Sequence, residues 1–390
     1  MKKGDFIIFF VTFFTVYGFT NLYIFIRGWQ SLQYLPGLRN YYLAGFLILS
    51  LSFIAGRFLE RIWLSLLSDT LVWIGSFWLA AMLYFILFLL IIDLARLINH
   101  FAPFIHHLSA DYVRLKFITA VAVIGITGLI LLVGFINAYM PRIKTMELHI
   151  DKACSYDSIK VAVASDIHLG TIVGRKRFCN IVNKINQLQP DLVLLPGDII
   201  DEDLAPVIKK NLGEAITSIK PALGVYAVTG NHEYIGGVKA AYQYLMNHKI
   251  TVLRDSTVQI KNCLYIVGRE DRSISQFTGK KRKTLETLMT NVDKSRPIIL
   301  MDHQPFHLRE AVEYGVDLQL SGHTHHGQLW PLNFITRAIY QISWGYGKIA
   351  DTHFYVSSGA GTWGPPIRIG NYPEIVQIIL RFRHQQDNID

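Results

Sequence analysis

Long apolar stretches separated by short charged breaks run as far as Pro141, and none recurs afterwards. Residues 6–26, FIIFFVTFFTVYGFTNLYIFI, carry no charge and are long enough to cross a bilayer as a helix. The run is too long for the apolar part of a cleavable signal, and no small-x-small cleavage site follows it. A second stretch covers about Tyr41–Ala55, extended by its flank to 58. A third covers 70–92 and a fourth 117–139, the last stopped by Pro141 and Arg142. Asp69 and Asp93 flank the third, where a carboxylate can reach water. The pattern therefore predicts four transmembrane helices, 6–26, 41–58, 70–92 and 117–139, in a membrane region spanning 1–141. No ionisable residue inside these spans marks a transport path, and His100, His106 and His107 fall in the loop before the fourth.

From about Thr145 the pattern shortens. Apolar runs of strand length at 160–165, 191–197, 224–230, 251–260, 263–268, 297–301, 316–320, 354–358 and 375–381 alternate with helical spacing at 175–188, 206–219, 238–248, 283–292 and 306–314. That alternation predicts a layered α/β domain over 145–390. Internal repeats and low-complexity tracts are not seen.

Charge adds little. Nine Lys/Arg against five Asp/Glu lie up to Pro141, and 29 against 24 lie beyond it, so neither part is basic enough to suggest nucleic acid. Counting the short loops with the N-terminus inside gives six cytoplasmic Lys/Arg (Lys2, Lys3, Arg57, Arg61, Arg142, Lys144) against five outside. The N-terminal lysine pair decides for N-in, which puts the second domain in the cytoplasm of a multi-pass cell-membrane protein. Cys154, Cys179 and Cys263 match no CxxC or zinc-knuckle spacing. Being odd in number, they suggest small buried or half-buried thiols rather than a disulfide framework.

The chemistry sits at strand ends. Successive strand runs finish in Ser165-Asp166-Ile167-His168, Gly197-Asp198, Gly230-Asn231-His232-Glu233, Asp302-His303 and Ser321-Gly322-His323-Thr324-His325-His326. Carboxyl ends of strands are where open α/β sheets bind ligands. Oxygen and imidazole donors without thiolate favour divalent manganese, iron or zinc in an open site over a structural zinc. In extended backbone, residues two apart point the same way, so Asp166 and His168 are expected to face one ion, and the same spacing joins His323 and His325.

These blocks, DIH, GD, GNHE, H and GHTH in that order over about residues 158–382, resemble the calcineurin-like metallophosphoesterases. GHTHHGQLWP and YVSSGAGT are most similar to the membrane-associated bacterial branch with transmembrane helices ahead of the catalytic domain. The resemblance implies a four-layer α/β/β/α sandwich, two divalent metal ions and hydrolysis of a phosphoester, phosphodiester or diphosphate bond. It implies Asp166, His168 and His325 on one ion, Asn231, His303 and His323 on the other, and Asp198 bridging them. His232 is implied as the catalytic group acting on substrate or leaving group, oriented by Asp166 or Glu233. The branch usually has glycine where this chain has His326; His326 and Arg337 are the expected substrate contacts.

Two further features bear on substrate. The run 329–347, LWPLNFITRAIYQISWGYG, is rich in apolar residues around one cation, Arg337, and suits either contact with lipid or packing. Lys280–Lys283, KKRK, suits either an anionic headgroup or a solvated helix start. The expected partners are membrane lipids and a lipid-linked phosphate substrate. Soluble phosphoesters with the membrane as anchor, and a metal-binding sensor or scaffold without turnover, are the competing expectations.

Overall fold

The computed structural model describes residues 3–102 and 111–384, so His106 and His107 lie outside the described residues. The chain divides into two units, 1–136 and 137–390.

The first unit consists of helices α1 (Lys3–Ser31), α2 (Arg39–Ile62), α3 (Leu66–Phe101) and most of α4 (Tyr112–Ala138). Pro36–Ile62, Leu66–Phe101 and Tyr112–Ala138 are long and apolar enough to cross a membrane. The predicted run 6–26 lies within α1. The second apolar stretch looked short in the sequence because Arg57, Glu60 and Arg61 follow it, yet α2 continues through them. Arg57 pairs with Glu60 at 3.0 Å, so a buried carboxylate does sit in this helix. Ser65 caps α3 by accepting from the Ser68 N–H. A Cβ at Gly75 would overlap the backbone of Phe53, so glycine there lets α2 and α3 touch. Ile24, Phe46, Trp78, Ala81 and Met82 form the bundle core, while Leu129, Leu132 and Val133 are exposed. With no partner in water, such outward apolar faces suit hydrocarbon. Asp93 does not simply reach solvent: it is half-buried and paired with Arg27 of α1.

Among the described residues the second unit contains twelve strands: β1 (Arg142–Cys154), β2 (Ser158–Val163), β3 (Leu192–Pro196), β4 (Val225–Val228), β5 (Thr251–Val252), β6 (Ser256–Ile260), β7 (Leu264–Gly268), β8 (Ile298–Met301), β9 (Leu318–Ser321), β10 (Gly345–Ile349), β11 (Thr352–Val356) and β12 (Glu374–His384). They form two six-stranded sheets, ordered β1-β12-β2-β3-β4-β5 and β10-β11-β9-β8-β7-β6. Helices α5 (Arg175–Gln187), α6 (Ala205–Lys209), α7 (Asn231–Gly236), α8 (Val238–Asn247), α9 (Ile274–Thr278), α10 (Leu285–Met289), α11 (Leu308–Glu313) and α12 (Asn333–Ile339) complete it.

Strand periodicity builds the layers. Along β8, Ile299 and Met301 enter the core between the sheets, with Val161, Leu192, Leu320 and Ile378. Ile298 and Leu300 face the opposite way, onto Leu285, Leu288, Leu308 and Ala311 of α10 and α11. Phe178, Ile181, Val182 and Ile185 form the buried stripe of α5. The result is the α/β/β/α sandwich.

The expectation about cysteines is overturned. Cys154, ending β1, and Cys263, in the β6–β7 turn, are joined as a disulfide with Cα atoms 4.6 Å apart. Both belong to the inter-sheet core, so the bond ties one sheet to the other. Their partnership depends on how the sheets stack, which a separation of 109 residues conceals. Cys179 is the free thiol.

Candidate metal centre

Parallel strands β2, β3 and β4 are neighbours in one sheet, and β7, β8 and β9 are neighbours in the other. Their carboxyl ends deliver the motif residues to one place. The loops after β2 and β3 run side by side, with the N–H groups of Asp166 and His168 donating to Gly197 O and Asp198 O, each at 3.0 Å. Asp166, His168, His323 and His325 are not in extended backbone, contrary to expectation. Their φ values are 50°, 52°, 68° and 43°, as is that of Asp198 at 50°. Left-handed conformation at a non-glycine residue costs of order 1–3 kcal/mol, and such residues cluster at functional sites. Gly322 has no room for a side chain, since a Cβ there would strike the Asp166 carboxylate.

Three groups of ligand atoms come close: Asp166 with His168 and His325, His168 with Asp198 and His232, and Asp198 with His303 and His323. His168 Nε2 lies 3.0 Å from His325 Nε2, and His325 Nε2 lies 3.6 Å from Asp166 Oδ1. Two nitrogens bound at about 2.1 Å to one ion at roughly a right angle sit about 3 Å apart, so this spacing fits a shared metal. On the other side, His303 Nε2 is 3.0 Å from Asp198 Oδ2, and His323 Nδ1 is 2.8 Å from Asn231 Oδ1. Asp198 Oδ2 is also 4.0 Å from His168 Nε2, so one carboxylate lies between the two groups. Asp166 Oδ2 is buried without an aligned hydrogen-bond partner, as expected of an atom whose partner is an ion. His303 Nδ1–H donates to Pro196 O at 2.8 Å, which leaves Nε2 as the lone-pair nitrogen. The donor set thus fits two divalent cations.

The field tunes the imidazoles differently. Burial, then His168 and Arg368, hold His325 well below its ordinary pKa, and burial with His303 takes His323 down to about 4. Both are therefore neutral and ready to ligate. Burial opposes charge on His303, but the Asp198 carboxylate outweighs it and raises the pKa well above ordinary.

His232 sits beside these groups, its ring centroid 4.5 Å from that of His168. Its Nδ1 lies 3.1 Å from Asp201 Oδ1, so Asp201 is the orienting carboxylate, rather than Asp166 or Glu233. Burial lowers the His232 pKa, but Asp198, Asp201 and Glu202 raise it further, to about 9. Glu233 instead accepts from the N–H groups of Gly230, Ile200 and Asp198, at 2.7, 2.9 and 3.2 Å, pinning the two loops together. Burial and Asp198 push its carboxyl up to about 7.

His326 is 3% exposed, with its ring 5.0 Å from Trp344 and Nδ1 3.2 Å from Ser343 Oγ. Its ring packs against Trp344 and Ser343, and it is in none of the three ligand groups. Arg337 is exposed in the last turn of α12, near enough to depress the His326 pKa after burial itself. Within KKRK, Lys280 and Lys281 are exposed, while Arg282 pairs with Asp302, next to His303, at 2.9 Å.

Sequence reasoning missed Arg368. It is fully buried, donates to Ser358 O at 2.6 Å and Gly361 O at 2.8 Å, and reaches within 3.2 Å of His325 Nδ1. Burial pushes its pKa down to about 9.

The sequence profile described as calcineurin-like phosphoesterase matches residues 159–327. A transmembrane protein with metallophosphoesterase domain from Bos taurus is 32% identical over 70% of this chain and 65% of its own length. This chain therefore spans slightly under two thirds of that relative. An uncharacterized metallophosphoesterase from Aquifex aeolicus is 33% identical over 63% of this chain and 94% of its own length. Among solved structures, a 5'-nucleotidase precursor from Thermus thermophilus aligns with a TM-score of 0.37 and 13% identity, over 57% of this chain and 54% of that one.

Proposed function

The chain belongs to the calcineurin-like metallophosphoesterase family, and from that premise we propose a membrane-anchored dinuclear phosphoesterase acting on a lipid-linked phosphoester, phosphodiester or diphosphate. The observation that carries this reading is the Asp198 carboxylate, 3.0 Å from one imidazole group and 4.0 Å from the other. In this reading Asp166, His168 and His325 would hold one ion, Asn231, His303 and His323 would hold the second, and Asp198 would serve both. Such a pair, when bound, supplies a nucleophile at neutral pH and neutralises charge on phosphoryl oxygens. Manganese, iron and zinc all suit these donors. His232 turns Nδ1 to Asp201, which leaves Nε2 to donate to the leaving oxygen. An imidazolium is required for that donation, and the surrounding carboxylates favour it.

The lipid-linked part rests on surface chemistry. Trp330, Phe334, Ile335 and Ile339 follow directly after the metal loop and are each about half exposed. Trp363 is exposed as well, with its ring 6.0 Å from that of His232. A contiguous apolar patch of this kind marks a binding surface for apolar matter. Arg337 at its edge suits an anionic headgroup.

We read the chain as multi-pass. For the side of the membrane, the six-to-five loop count favours the cytoplasm, whereas disulfides persist in oxidising compartments. A difference of one charge is almost no bias, so our reading follows the Cys154–Cys263 bond and sets the catalytic unit on the oxidising side. Protease treatment of intact cells tests it: cleavage from outside is expected, and full protection contradicts it.

For the activity itself, the purified full-length protein in detergent with Mn²⁺ is assayed on bis(4-nitrophenyl) phosphate, then on lipid-linked and soluble phosphoesters. Turnover with preference for the lipid-linked set supports the reading. Turnover restricted to soluble esters removes the lipid-linked part, and no turnover with metal bound favours a sensor or scaffold.

A further inference from the structure

Strand β7 lies parallel to β8, with Gly268 opposite Met301, so the segment leaving β7 runs beside the segment that carries His303. That segment is Arg269-Glu270-Asp271-Arg272, and it is held firmly. Asp271 is buried and accepts from Gln304 Nε2, next to His303, at 3.0 and 2.9 Å. The Ser273 N–H donates to Asp271 Oδ1 at 2.8 Å. Arg272 is therefore fixed by its neighbours on both sides.

Three arginines gather here, and two are neutralised. Arg269 pairs with Glu310 at 2.8 Å and Asp302 at 3.4 Å, and Arg282 pairs with Asp302 at 2.9 Å. Among the described residues no carboxylate lies within ion-pair distance of Arg272, and its Nε is buried without a hydrogen-bond partner. Burial depresses its pKa, with Arg282 and Arg269 adding to the effect and Asp302 and Glu310 opposing it. What Arg272 does touch is aromatic. Its guanidinium lies 5.2 Å from the Phe306 ring, Phe306 lies 4.8 Å from Tyr340, and Tyr340 lies 6.2 Å from His323. A wall of cation and rings thus leads away from the imidazoles of the second ligand group. An arginine with open donors and a planar fork is suited to phosphate or carboxylate oxygens.

We propose that Arg272 is a substrate-binding residue that holds a second anionic group, beyond the phosphoryl group under attack, so that the preferred substrate carries two phosphates or their equivalent. This rests on the phosphoesterase reading above. Phe306 packs against the guanidinium, and Tyr340 contacts both Phe306 and His323.

The test compares wild type, Arg272→Ala and Arg272→Lys as full-length protein in detergent with Mn²⁺. Bis(4-nitrophenyl) phosphate offers one charged group, and the symmetrical dibenzyl diphosphate offers two. Arg272→Ala should raise KM for the diphosphate by about 10- to 100-fold, the range for one hydrogen bond to a charged group, and leave the single-phosphate ester within about twofold. Arg272→Lys should recover part of the loss. Equal changes on both esters, or none, overturn the proposal and leave Arg272 as packing for Phe306. If wild type hydrolyses neither ester, the phosphoesterase reading fails, and calorimetry then decides the inference. Arg272→Ala must lose the wild-type preference for inorganic pyrophosphate over inorganic phosphate, and an unchanged or absent preference overturns it.

Discussion

His232 Nδ1 lies 3.1 Å from the Asp201 carboxylate, a residue three positions beyond Asp198 on the same loop. Burial alone would make His232 a weak base, but Asp198, Asp201 and Glu202 reverse this and bring its pKa to about 9. An acid with a raised pKa stays protonated to higher pH, so activity that needs it is lost as pH rises through that value. Asp201→Asn removes one of the raising charges and should move the alkaline limb of kcat to lower pH. A pH–rate profile of both proteins checks this, and an unmoved limb contradicts the pairing. His232→Ala should retain metal and lose about 10²–10⁴-fold in kcat. Normal turnover of that variant would remove His232 from the mechanism.

Arg368 supports the ligands from beneath. Truncation to Ala leaves the carbonyls of Ser358 and Gly361 without their donor, at about 1–3 kcal/mol for each buried group. Thermal unfolding in detergent should show a clearly lowered midpoint, and metal affinity should fall with it because His325 loses its neighbour. An unchanged midpoint would show that the buried charge is dispensable.

The disulfide is testable without mutation. Reducing Cys154–Cys263 should cost about 2–5 kcal/mol of stability. Turnover below the unfolding transition should survive, since both cysteines lie in the inter-sheet core rather than among the ligands. Thiol labelling of unfolded, unreduced protein should find one cysteine, Cys179; three would contradict the bond.

The apolar patch on α12 separates lipid from soluble substrates. Phe334→Ser with Ile335→Ser should leave hydrolysis of bis(4-nitrophenyl) phosphate unchanged and lower hydrolysis of a lipid-linked phosphoester in vesicles by about tenfold or more, as two apolar side chains of this size each contribute about 1.5–3 kcal/mol when buried. Equal rates in vesicles would assign those side chains no part in lipid contact.

Much of the site is legible in the sequence because five short blocks follow apolar strands, and strand ends converge in sheets of this kind. Strand alternation does not place Asp166 and His168. They do not alternate in extended backbone; both take left-handed φ, which only the folded loops reveal. Asp201 and Arg368 carry no local signal, because each acts through a residue far away in the chain. Edge strands β1 and β10 give little sequence signal, being largely exposed on one side and, in β10, interrupted by glycine. The core strands β3 and β8 are continuous apolar runs and read easily.

The central claim is a two-metal site held together by Asp198. Metal content of the purified full-length protein, measured by mass spectrometry after Mn²⁺ loading, alongside turnover of bis(4-nitrophenyl) phosphate, tests it most directly. Wild type should hold about two equivalents per chain, on the two-ion logic of such sites, and turn over the ester. Asp198→Ala should hold less than half as much and fall to background turnover. An Asp198→Ala protein with wild-type metal content and wild-type turnover would contradict the site as described.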